Sequence, residues 1–394
     1  MSDEDAASRS TTKVSLTTIA RGWTRLGCLG FGGPPTHIAL LRRMCVQDRH
    51  WMSSEEFEDG IAATNLLPGP ASTQLAIYCA WRLRGAAGAI VGGVCFILPG
   101  LAIILALSAV VLAGHPPDWV LGAEAGAGAA VPAVALNAAW QLVPTSRERV
   151  GPTRPAKVRW LVYAVVGGVG AATIGAYLVV VLVVCGAVEL MIRRGARPGS
   201  KRSLKAFAPF AVLHAAAMGG VGALAWVAFK VGALSYGGGF VIVPIMQHDV
   251  VTTYHWMSAA QFLNAVALGQ ITPGPVVQTV AVVGYAAAGV GGGIVAAVVA
   301  FTPSFLFVLA GGPRFDRIRA NDSIRSFLAG AAPAVIGAIA GSAIPLGLAL
   351  QHPWQVPVLV AAAIWLFLLR RGVVSGLLLA GALGVTLALV GLQV

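Results

Sequence analysis

Residues 50–70 read HWMSSEEFEDGIAATNLLPGP, and residues 255–275 read HWMSAAQFLNAVALGQITPGP. The shift between them is 255 − 50 = 205, with no gap. His50-Trp51-Met52-Ser53 returns as His255-Trp256-Met257-Ser258, Phe57 as Phe262, and Pro68-Gly69-Pro70 as Pro273-Gly274-Pro275. Working outward, Gly27, Gly32 and Gly33 return as Gly232, Gly237 and Gly238 at the same shift. Chance does not give a four-residue and a three-residue identity at one offset in an apolar background, so the chain contains an internal repeat. Downstream the shift shortens slightly, with Pro132-Ala133-Val134 set against Pro333-Ala334-Val335.

The repeat lies in a chain made for lipid. Its 394 residues are 57% hydrophobic and 11% charged, whereas a soluble domain carries roughly a quarter charged residues. Apolar runs of the length a bilayer requires lie at Gly85–Ala113, Trp119–Val143, Phe207–Phe229, Gly289–Gly311, Ser326–Leu350, Trp354–Leu369 and Gly372–Val394. Val158–Ile192 is too long for one straight span and reads as two helices turning near Thr173–Gly175. The 49 glycines suit close helix packing in lipid. Five cysteines without CxxC spacing read as buried thiols. The polar segment Met1–Thr12 lacks a signal-peptide core and reads as a cytoplasmic tail.

The formal charge of +12 sits mostly in short stretches between apolar runs. That is the positive-inside pattern. No helix interleaves aromatic and basic residues as a nucleic-acid surface would. In the first half, Thr36–Glu56 holds Arg42, Arg43 and Arg49, the next turn Arg82 and Arg84, and Pro144–Arg159 five further basic residues. The equivalent Val241–Gln261 and Ala286–Gly289 hold no Lys or Arg, while Gly312–Arg325 holds four Arg. Equivalent loops thus carry opposite bias, which predicts two halves inverted in the membrane, a recurrent transporter architecture. Because both ends of Phe57–Trp81 are basic and both ends of Phe262–Tyr285 are not, each reads as a re-entrant hairpin broken at PGP. A proline-kinked spanning helix is the alternative. The expected fold is an all-α polytopic membrane protein of two inverted-topology repeats with broken or re-entrant helices. Its expected parts are a tail at 1–13, a first repeat at 14–143, basic loops and a connecting helix pair at 144–206, and a second repeat at 207–394.

A helix restarted inside the membrane presents free N–H groups and partial positive charge at its new N-terminus. That end is a ready anion site, and Pro70 is expected to open the new helix. Ser72, Thr73 and Gln74 then sit in its first turn, and Gln278 follows Thr272-Pro273-Gly274-Pro275 in the second half. Asn65 and Gln270 are equivalent positions before the two turns. The glycine runs holding Gly32, Gly33, Gly237 and Gly238 would let backbone approach a ligand, or simply pack helices tightly. Arg25 and Lys230, equivalent under the repeat, are intramembrane cations that would flank a dianion or snorkel to an interface. His37 and Glu124 are candidates for proton coupling, with Glu189 a further acid near the apolar spans.

These motifs carry a family resemblance. Phe31-Gly32-Gly33-Pro34, Asn65-Leu66-Leu67-Pro68-Gly69-Pro70 and Arg84-Gly85, with Tyr236-Gly237-Gly238-Gly239 and Gly269-Gln270-Ile271-Thr272-Pro273-Gly274-Pro275, resemble the chromate ion transporter family in its long two-domain form. The resemblance covers nearly the whole chain. It implies export of chromate from the cytoplasm across a bacterial inner membrane, driven by the membrane potential or a proton gradient. Sulfate is the natural competitor, and no cofactor, metal or nucleic acid is implied. Membrane lipid and a second copy in a homodimer are further expected partners. From the residues alone the reading reaches a transporter of a small anion. A sulfate or other tetrahedral-oxyanion transporter and, from another class, a membrane enzyme acting on a lipid phosphate remain open, although no acid or histidine cluster at catalytic spacing supports the enzyme.

Overall fold

A computed structural model describes residues 14–65, 67–150, 153–173, 178–195, 220–235, 239–311 and 321–393. Among these residues all regular structure is helical. Burial is inverted relative to a soluble protein. Leu98, Val165, Val298 and Leu378 are more than half exposed, whereas His37, Thr73, Gln74 and Gln278 are buried. Exposed apolar side chains need a lipid solvent, so the chain is a multi-pass membrane protein.

The first half opens with α1 (Leu16–Leu29) and α2 (Pro34–Arg42), the latter continuing through a π-helical turn, Arg43–Asp48. The expected loop over Thr36–Glu56 is therefore mostly helix. α1 and α2 double back on each other, since Trp23 stacks on Trp51 and the His37 ring reaches the Gly30 carbonyl. At about 1.5 Å per residue each arm is roughly 21 Å long, short of the ~30 Å hydrocarbon core. α3 (Ser54–Thr64) leads to the Pro68-Gly69-Pro70 break, after which α4 (Ala71–Val111) begins. Pro70 is the N-cap, one position earlier than the sequence suggested, with extended backbone and a carbonyl that accepts from Gln74 N. Arg82 pairs with Glu56, so the outer ends of this second hairpin are level.

α4 is two helices. Arg84 and Gly85 depart from helical geometry, and a methyl group at Gly93 would lie 2.9 Å from Ile77 Cγ1. The 71–83 arm is thus folded back on the 86–111 arm, which is long enough to cross. α5 (Asp118–Val150) runs unbroken through Pro132 and Pro144, so the loop expected from Pro144 starts only after Val150. Neighbouring helices and local adjustment tolerate such prolines in a membrane helix. α6 (Arg154–Thr173) and α7 (Leu178–Gly195) complete this half as two helices. The first of these ends at Thr173, and the rest of the turn expected near Thr173–Gly175 lies outside the described residues.

The second half repeats these devices in order: α8 (Gly220–Leu234), α9 (Ile242–Gln247) with the π-helical turn His248–Thr253, and α10 (Ala259–Ile271). A short 3-10 turn at Val276–Gln278 follows the second break, then α11 (Thr279–Gly311), α12 (Asp322–Leu348), α13 (Gln355–Ala363, continuing as Ile364–Leu368) and α14 (Val373–Leu389). The sharp bend recurs at Ala288-Gly289, and the left-handed backbone of His50 (φ 49°) recurs at His255 (φ 53°). Where the long arms of α4 and α11 meet, residue 93 faces Phe305 and Leu105 faces residue 293, so the two equivalent helices run antiparallel. Small residues let α5 cross α14, and α6 cross α12, backbone against backbone: Gly122 meets Gly384, and Gly167 meets Ala334.

Candidate functional site

The two breaks meet in the interior. Gly274 N donates to Gly30 O at 3.0 Å, tying the second PGP turn to the end of α1. Gln278 Nε2 donates to Ile97 O at 2.7 Å, and Gly100 leaves the space that the Pro273 carbonyl fills. On the other side, Gln74 Nε2 donates to Pro68 O at 2.7 Å and closes the first turn upon itself. His37 bridges both hairpins of the first half, with Nε2 2.9 Å from Gly30 O and Nδ1 3.2 Å from Ser72 Oγ.

A cavity of about 440 Å³ opens between these turns. That is room for roughly fifteen waters at 30 Å³ each. Equivalent residues of both halves line it: Asn65 with Gln270, and Ala71 with Val276, the first residue after each break. Gly32 and Gly33 form another wall. The remaining polar wall is one face of α5, where Asn137, Gln141, Thr145 and Arg149 follow each other at every fourth position over about 18 Å. Ser146, beside this stripe, accepts from Trp160 Nε1 at 3.0 Å, and Arg147 lies over the Trp160 ring, so the end of α5 is held against α6. Among the described lining residues none is acidic and Arg149 is the cation.

Among the described residues, buried polar groups of both kinds lack protein partners near the breaks, the acceptor Gln74 Oε1 one of them. Gln270 Nε2 is buried and has no protein partner among the described residues, and neither has the Thr73 hydroxyl. The N–H groups of residues 71–73 have no intrahelical acceptor, as at any helix start. A buried unsatisfied donor costs about 1–3 kcal/mol, so Gln270 Nε2, which lines the cavity, calls for an acceptor from a guest or from water.

Of the residues singled out in the sequence, Gly32, Gly33, Asn65 and Gln270 line the cavity. Ser72, Thr73, Gln74, Thr272 and Gln278 lie buried behind it, and Pro68, Gly69, Pro70, Pro273, Gly274 and Pro275 shape its two turns. Gly237 and Gly238 lie outside the described residues. Lys230 does not line it and forms an ion pair with Asp249. Arg25 lines a separate basic cavity. Glu124 faces α10, where Oε2 accepts from Asn264 Nδ2 at 2.9 Å and buried Oε1 has no partner among the described residues. Glu189 is engaged by Arg159, Arg193 and Tyr163. The α5 stripe was missed. Its signal was present as polar residues at spacing four in an apolar helix, hidden because Pro144 was read as the end of that helix.

A family model described as Chromate transporter matches residues 17–190 and 222–387. The chain is 34% identical over 340 residues to a chromate transport protein of Cupriavidus metallidurans, covering 84% of this chain and 82% of that one. It is 31% identical over 356 residues to a probable chromate transport protein of Synechococcus elongatus, covering 88% of each. An uncharacterized transporter of Methanocaldococcus jannaschii is 29% identical over 377 residues, 91% of this chain and 90% of that one. No solved structure matches.

Proposed function

The chain belongs to the chromate transporter family, and from that premise we propose that it exports chromate from the cytoplasm as a secondary transporter, binding the oxyanion in the cavity between the two broken helices. The observation that carries this reading is the cavity wall itself: donors from equivalent positions of both halves, an arginine, and no acidic residue among the described lining. A tetrahedral dianion brings four acceptor oxygens to these donors, of which Gln270 Nε2 has no protein partner among the described residues. The amides of Asn65 and Gln270 and the free N–H groups at residues 71–73 replace part of its water shell. Arg149, near the end of α5, offsets charge as the anion enters. None of these groups distinguishes chromate from sulfate by charge or geometry, so sulfate competes.

The antiparallel packing of the long arms of α4 and α11 supports two halves of opposite orientation, as the loop charges do. The stripe from Asn137 to Arg149 runs toward the basic end of α5, which the positive-inside rule puts in the cytoplasm of a bacterial inner membrane. The described state is then open inward. His37 links the glycine turn to Ser72, and Glu124 bears on α10, which ends at the cavity. Both would couple a proton to movement of the turns.

Uptake of labelled chromate into everted membrane vesicles tests the reading. Uptake that an uncoupler abolishes and excess sulfate inhibits is expected. Correctly inserted protein that moves no chromate under a proton gradient overturns it.

A further inference from the structure

A second cavity, of about 790 Å³, lies along the cleft between α1 and α2 and shares no lining residue with the first. Arg21 and Arg25 of α1 and Arg43 and Arg49 after α2 surround it, with Asp48 the one acid, a balance of four positive charges against one negative. Asp48 is already paired with Arg43 at 3.6 Å. Among the described residues no carboxylate pairs with Arg21, Arg25 or Arg49. The Arg49 guanidinium sits 5.8 Å from the Trp51 ring, an aromatic of the kind that marks a membrane interface.

The cavity is graded along the hairpin. Arg21 and Arg49 lie toward the open end and Leu29 toward the Gly30–Gly33 turn, with Arg25 and Leu40 between them. Leu29 is 54% exposed, an apolar surface facing the same space. A free inorganic anion has no use for that deep apolar end. A molecule with a negative head and a hydrocarbon tail matches both ends. The repeat supplies an internal control, because the positions 205 residues on are Trp226, Lys230, His248 and Tyr254, with Lys230 engaged by Asp249. The feature is thus confined to one half and to one end of the molecule.

We propose that this cavity binds the headgroup of an anionic phospholipid, with the arginines on its phosphate and Leu29 and Leu40 along the start of its chains. Bound there, the lipid pins α1 to α2 and fixes the Gly30–Gly33 turn, whose Gly30 carbonyl receives Gly274 N and whose Gly32 and Gly33 line the first cavity. The inference is independent of the transport reading, and its test contains no chromate.

The full chain is purified from vesicles of mixed phosphatidylglycerol and phosphatidylcholine, and retained lipid is counted by native mass spectrometry. Wild type is expected to retain phosphatidylglycerol selectively, and inorganic phosphate in excess is expected not to displace it. An R21Q/R25Q/R49Q variant should hold it roughly a hundredfold more weakly, since each basic residue near an anionic surface contributes about a factor of five. D48N, which removes the one acid, should hold it more tightly and keeps the test available where the triple variant does not fold. Equal retention of the two lipids by wild type, displacement by phosphate, or unchanged retention in D48N overturns the proposal.

Discussion

Replacing Gly69 by alanine perturbs the first break at its pivot. Gly69 has φ +119°, a backbone region that L side chains rarely adopt, and an added methyl would sit 2.5 Å from Gln74 Nε2. Holding a non-glycine residue there costs about 1–3 kcal/mol. Gln74 must also yield by about 0.5 Å to restore a 3.0 Å contact, which disturbs its 2.7 Å hydrogen bond to Pro68 O. That bond sets the direction in which residues 71–73 point their free N–H groups. If the strain is relieved by turning the break, binding loses a comparable energy. At about 1.4 kcal/mol per factor of ten, apparent chromate affinity falls roughly fivefold to a hundredfold. The assay is chromate uptake into everted vesicles over a range of concentrations, with membrane abundance matched by a fluorescent fusion. Gly114→Ala, with nothing within 4 Å of the new methyl, is the control and transports as wild type. Wild-type affinity in Gly69→Ala at matched abundance refutes the claim that the turn's geometry presents the donors.

Further outcomes follow from the same geometry. Arg149→Gln weakens apparent affinity by roughly tenfold to a hundredfold, the worth of a charge-assisted hydrogen bond, while insertion is unchanged; concentration dependence of uptake checks it. Pro68→Ala and Pro273→Ala impair uptake more than membrane abundance, because each frees a break to continue as helix; normal efflux by both contradicts this. Gly384→Val lowers folded abundance, because the added side chain overlaps the Gly122 backbone where α14 crosses α5; size-exclusion profiles in detergent report it. His37→Leu loosens the link between Gly30 and Ser72 and makes proteolysis near Gly33 faster than in wild type.

The repeat was readable because residue identities at one offset need no structural model. With it came the two breaks, the positions equivalent under the shift and the short arms, since Pro and Gly act locally on the backbone. What depended on tertiary packing was not readable. The reversal at Arg84-Gly85 is not of that kind: Arg82 and Arg84 interrupt the apolar stretch and read as a turn before the span that opens at Gly85. Pro144 looked like a boundary, yet α5 runs through it because α6, α12 and α14 support it. That misreading concealed Asn137, Gln141, Thr145 and Arg149 as one face of one helix. Lys230 could not be separated from Arg25 by sequence, since its partner Asp249 occupies a position where the first half has Met44.

The central claim is that the oxyanion sits between the two helix breaks. Crystals of the protein soaked with chromate and measured at the chromium absorption edge test it directly. The account predicts an anomalous peak in the cavity within hydrogen-bonding distance of Asn65, Gln270 and the N–H groups at residues 71–73. A peak elsewhere, with that cavity empty at saturating chromate, contradicts it.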